Sequence, residues 1–218
     1  MPTAVFSRRT VAIHATPAPQ YADRMPAPLA RALSIFGHPM LVLPMAVLAI
    51  ALARGDLRTA VWSALGFGAF AALVMGFSWW QVRRGRWGHV DASARHERST
   101  LNRFLLAALA AGAVLVAWRG TLPLLALGLA LSAFMILAAM LMARWCKLSL
   151  HLAFVVFAAL LLHKVGTLWM VVALVFAIAI AWSRLALERH TPRDLLAGAL
   201  VGAVAGLAFW PLAARWGG

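Results

Sequence analysis

Three consecutive pieces of sequence decide the architecture: LWMVVALVFAIAIAW at Leu168–Trp182, SRLALERHTPRD at Ser183–Asp194, and LLAGALVGAVAGLAFWPL at Leu195–Leu212. Two apolar runs flank a short polar connection. Runs of this kind read as membrane-crossing helices that extend into their polar flanks, with Arg and Lys snorkelling to the interface. Between them stand Ser183, Arg184, His190 and Asp194 at fixed spacing. A His and an Asp one helical turn apart can share a hydrogen bond that orients the imidazole and supports its positive charge. An arginine six residues before the His can hold an anion beside it.

The rest of the chain has the same character. It is 64% hydrophobic and 12% charged over 218 residues, with mean hydropathy +0.86. A soluble core of this size has no use for so much apolar surface, so the expectation is an all-α, polytopic transmembrane helical bundle. Apolar runs at Pro39–Ala53, Thr59–Trp80, Phe104–Trp118, Leu122–Met142 and Leu150–Leu162 join the two above, giving six or seven membrane helices. Most tryptophans fall near span ends, as interfacial belts do. Residues 1–37 read as a basic, Pro-rich tail without order of its own, and 38–218 as one membrane-embedded domain. The net charge of +14 points to anionic headgroups or an anionic lipid substrate rather than to nucleic acid. A single cysteine, Cys146, excludes an internal disulfide framework.

Short links at 119–121 and 163–167 make two hairpins. That topology puts three polar segments on one face: Gln81–Arg103, Ala143–Ser149 and Ser183–Asp194. That face, with the tail, carries 15 of the 20 Lys and Arg. The positive-inside rule then makes it cytoplasmic. In the second segment, alternation puts Lys147, Ser149 and His151 on one side of an extended backbone, where a Ser hydroxyl and helix N-terminal amides can bind phosphate oxygens. In the first, Arg95 and Arg98 are three apart and share a helical face that can reach an anion, and Glu97 is placed to pair locally with Arg. His89, Asp91, His96 and Glu97 match no strong metal-ligand pattern. Gly198, Gly202 and Gly206 form a ridge along which another helix can pack closely.

The spacing Ser183-Arg184, five residues, His190, three residues, Asp194 resembles the third motif of the type 2 phosphatidic acid phosphatase superfamily, the membrane relatives of vanadium haloperoxidases. The family's second motif, Pro-Ser-Gly-His, is partly kept: Ser149 and His151 stand in place, with Leu148 and Leu150 for Pro and Gly. For the first, Lys-x6-Arg-Pro, Arg98 takes the Arg position, while Asp91 and Ser99 stand where Lys and Pro belong. The resemblance covers about residues 38–212 and suggests a divergent branch. It implies that His190 is a nucleophile forming phosphohistidine, that Asp194 orients it and that His151 is the general acid. It further implies that Arg184, Ser149 and Arg98 hold the phosphate oxygens, with Lys147 or Arg95 replacing the lost lysine. No metal or cofactor is required. The implied activity is hydrolysis of a lipid phosphomonoester or diphosphate in the bacterial cytoplasmic membrane, where the family habitually faces outward. A phosphotransferase of the same fold, or a non-catalytic scaffold with a degenerate site, are the alternatives. The partners expected are a lipid phosphate and membrane lipids, with the oligomeric state left open.

Overall fold

The computed structural model describes residues 27–216, apart from Asp91, Ser93 and Thr121. These residues form eight α-helices, with no strand among them: α1 (Ala27–Phe36), α2 (Pro39–Ala53), α3 (Leu57–Arg83), α4 (Arg95–Arg119), α5 (Pro123–Met142), α6 (Leu150–Leu161), α7 (Thr167–Ala186) and α8 (Pro192–Trp216). Five of them (α3, α4, α5, α7 and α8) are long and apolar enough to cross a membrane. A sixth crossing forms if α1 and α2, bent by 53° at Gly37-His38, are counted as one broken span. The chain is an all-α bundle of membrane-protein character. Residues 1–26 of the expected tail lie outside the described residues. Residues 27–36 do not belong to a structureless tail, because they form α1, which packs on α7.

Helix α6 sits at the centre although it is the shortest of the apolar runs. Its twelve residues rise only about 18 Å at 1.5 Å each, and a 3₁₀ turn at Leu162–Lys164 extends it. Eight of the twelve are buried, against α2, α5, α7 and α8. Surrounded by other helices, α6 needs no hydrocarbon-matching length of its own. The glycine ridge explains how α8 comes so close. A Cβ at Gly202 would collide with the Ala153 backbone carbonyl, and one at Gly198 with the Ser149 carbonyl. Small residues thus let the two backbones meet, as helix packing in membranes favours. The main core joins Met135, Ile136, Phe154, Phe157 and Phe209 from α5, α6 and α8.

Each end of the bundle is marked by cations lying over tryptophan rings. At one end Arg83 covers Trp79, Arg84 covers Trp80 and Arg144 covers Trp145, at 3.8, 4.3 and 3.9 Å. At the other, Arg54 and Lys164 both approach Trp210. Cation–π contacts of this kind suit the headgroup layer, where a ring can rest on hydrocarbon and a cation in water. They also show that the ends of α2, α6 and α8 share a face, as the hairpin topology requires.

Candidate functional site

The loop between α7 and α8 is built tightly. Arg189 N–H donates to Arg184 O and Glu188 N–H to Leu185 O, closing α7, with Glu188 at φ +52°. The chain then turns into α8 at Thr191 and Pro192, where a proline suits the first helical turn. Asp194 is 6% exposed and serves as the staple of this turn. Its Oδ2 accepts from Thr191 N–H at 2.9 Å, and its Oδ1 accepts from Lys147 N–H at 2.8 Å, 47 residues away. Ser149 N–H donates to the Asp194 carbonyl at 3.1 Å. The second and third polar segments are therefore joined by one residue.

This changes the role read for Asp194 from its spacing. Its carboxylate lies 3.9 Å from His190 Nδ1, too far for a hydrogen bond. The imidazole is oriented instead by the Lys147 carbonyl, 3.0 Å from Nδ1. A carbonyl only accepts, so a neutral ring places its proton on Nδ1 and leaves Nε2 as a free lone pair. Asp194 thus acts through the loop it holds: it fixes Lys147, and Lys147 fixes the tautomer. Burial first, then the charges of Arg184 and Lys147, push His190 down to about 4, against the opposing pull of the Lys147 carbonyl and Asp194. At neutral pH the ring is uncharged.

Arg184 stands at the electrostatic centre. It is 6% exposed on the last turn of α7, and its charge acts on Lys147 and His190 as well as on His38 and His151. One terminal nitrogen donates to Ser34 Oγ of α1 at 2.7 Å. Its Nε has no partner, and no carboxylate among the described residues lies within ion-pair distance of it. Ser149 caps α6 in an extended conformation but makes no capping bond with its side chain. Its Oγ is fully buried and unpartnered. Buried polar atoms are nearly always satisfied; five among the described residues are not, namely these two and, elsewhere in the bundle, Ser63 Oγ, Gln81 Oε1 and Trp210 Nε1. An open crevice of ≈ 480 Å³ lies over the loop, lined by Lys147, Arg189, His190 and Asp194 among others.

Lys147 sends its Nζ to the Arg189 carbonyl at 2.9 Å, bracing the loop from the other side. Partial desolvation, then the charges of Arg98 and Arg184, hold its ammonium below the usual pKa. Arg98, in the first turn of α4, therefore lies within electrostatic reach of the site. Arg95 opens the same helix with an exposed side chain, and nothing places it beside the other site residues. Glu97 does not pair with an arginine. It accepts from Gly88 N–H at 2.8 Å and Ala94 N–H at 2.9 Å, and so folds the first polar segment onto α4.

His38 lies outside the three polar segments of the sequence. It occupies the break between α1 and α2, and its ring meets that of His151 edge to face, with centroids 5.1 Å apart and planes at 89°. The signal available was the tripeptide Gly37-His38-Pro39, a helix break carrying an imidazole. No protein-family model, curated protein or solved structure matches the chain.

Proposed function

We propose that the chain is an integral membrane lipid phosphatase that hydrolyses a phosphomonoester or diphosphate of a polyprenyl lipid or glycerolipid through a phosphohistidine at His190. One observation carries this reading: a buried arginine that has no acidic partner among the described residues, with its Nε and the Ser149 hydroxyl both unpaired there, beside a histidine whose Nε2 lone pair is free. A phosphoryl group supplies the negative oxygens these donors lack. The His190 Nε2–P bond forms as the bond to the leaving oxygen breaks, and His151 passes that oxygen a proton. His151 must first take this proton from solvent, which the negative charge of a phosphate held by Arg184 would favour by offsetting that cation. Water then attacks phosphorus, His151 takes the water proton, and the N–P bond breaks to release phosphate.

A lipid substrate is favoured by what adjoins the mouth of the site. An apolar crevice of ≈ 430 Å³, lined by Met142, Trp145, Cys146, Leu196 and Leu200 together with Arg193, offers a place where a hydrocarbon chain can lie while its headgroup reaches His190. The excess of Lys and Arg on the site face supports a cytoplasmic orientation. A cysteine introduced at His89 is expected to react with an impermeant maleimide only after permeabilisation.

The decisive experiment offers purified protein a panel of lipid phosphates in EDTA and measures phosphate release, with an acid-labile phosphoenzyme trapped by quenching. Release lost in His190→Ala bears the reading out. Transfer to added alcohol in place of water would make the enzyme a phosphotransferase. A folded protein that turns over no lipid phosphate would make it a scaffold.

A further inference from the structure

We infer that His38 belongs to the site as a positioning residue for His151, and that the broken α1–α2 element exists to deliver it; this rests on the phosphatase reading for its chemical meaning. Three contacts bind α1 to the end of α7. Ser183 Oγ donates to the Ala30 carbonyl at 2.7 Å, Arg184 donates to Ser34, and Gly37 lies so close to Ile180 that a Cβ there would collide with its side chain. Motif residues Ser183 and Arg184 are thus tied to α1 by their own side chains. The result is that the chain breaks at His38, directly against His151.

The ring of His38 is exposed but tethered to the helix it starts. Its Nδ1 accepts from Met40 N–H at 3.2 Å as the N-cap of α2. An accepting Nδ1 carries no proton, so the neutral ring keeps its hydrogen on Nε2. His38 is held by the helix it starts, in one tautomer, perpendicular to the imidazole that must give a proton to the leaving oxygen. A general acid works only when its proton is aimed. His151, at the second position of α6, has no hydrogen-bonding partner of its own among the described residues that would aim it. The fixed wall of His38 supplies that constraint.

The test uses the full-length protein in detergent, with His38→Asn and His38→Phe beside wild type. Asn can still accept from Met40 N–H and so keeps α2 started without the ring; Phe keeps the ring wall without the nitrogens. With lipid phosphate, His38→Asn is expected to lower kcat about 10–100-fold, the scale of a small misplacement of a catalytic group, with KM little changed. His38→Phe is expected to recover part of that loss. Independently of turnover, carbethoxylation of His151 by diethyl pyrocarbonate, followed by mass spectrometry, should quicken several-fold in His38→Asn and stay near wild type in His38→Phe. Wild-type kcat together with unchanged His151 labelling in His38→Asn overturns the inference. If wild type releases phosphate from no lipid, the phosphatase reading falls, and the labelling comparison alone decides whether His38 holds His151.

Discussion

At the scale of single residues, the carboxylate of Asp194 has two backbone N–H groups to satisfy and none of its capacity goes to the imidazole. Asp194→Ala removes the acceptor of both donors, which belong to the exposed residues Lys147 and Thr191 in a part-buried turn. A loss on the order of 1–3 kcal/mol is expected, about that of two hydrogen bonds, read from unfolding in detergent. Asp194→Asn keeps one acceptor and should lose roughly half as much. His190 makes a second prediction, through pH. Its folded ring stays neutral until about 4, whereas the unfolded ring takes a proton near 6.5. Between those values the unfolded state binds more protons, so stability is full above pH 6.5 and falls as pH drops toward 4. The drop in melting temperature from pH 7 to 4.5 should be smaller in His190→Gln. The spacing of His190 and Asp194 was legible in the sequence, but their division of labour was not. An i,i+4 pair suggests contact, and nothing in the local sequence shows that Lys147 N–H and Thr191 N–H will claim both oxygens first.

At the scale of elements, the close approach of α6 and α8 rests on the absence of side chains. Gly202→Ala places a methyl where the Ala153 backbone carbonyl lies, and backbone cannot swing aside as a side chain can. Overpacking of this kind costs about 1–3 kcal/mol, and the shift should be visible as a lower melting temperature. Glu188 is the converse case: a residue with a Cβ held at φ +52° where helix ends favour glycine. Glu188→Gly is expected to stabilise by up to about 1 kcal/mol, the backbone strain relieved being partly offset by chain entropy. The Gly198, Gly202 and Gly206 ridge could be read in advance because it lies on one helix at helical spacing. Helix α1 could not, since its ten residues are amphipathic rather than strongly apolar and its purpose appears only against α7. For the same reason nothing local marks His38, which stands 113 positions away from His151 with no pattern linking them.

Over the whole molecule, polar segments that are far apart in the chain meet at one end because the hairpins alternate direction and α6 draws them inward. Ser149, His151, Arg184, His190 and Asp194 come together as the order of apolar and polar runs requires; Arg98 reaches them through charge, and Arg95 stays outside. Such convergence follows from topology and is therefore readable without coordinates. Which face the bundle turns to the cytoplasm depends on insertion, which is why the charge count carries that question alone.

The charge of Arg184, which no carboxylate among the described residues matches, has one more consequence, in thermodynamic coupling. Confining a cation without a counter-ion weakens the resting fold, and whatever supplies the charge gives that stability back. Any anion that binds the folded state selectively must stabilise it by RT ln(1 + [L]/Kd), about 2.7 kcal/mol at one hundred times Kd. Orthovanadate or inorganic phosphate is therefore expected to raise the melting temperature of the wild-type protein in a concentration-dependent way. In Arg184→Met, which removes the charge, the resting protein should resist heat no less well and the response to either anion should vanish. Heat resistance then becomes an assay for ligands: under the proposed reading, the anion that fits the site is the one that makes the protein hardest to melt.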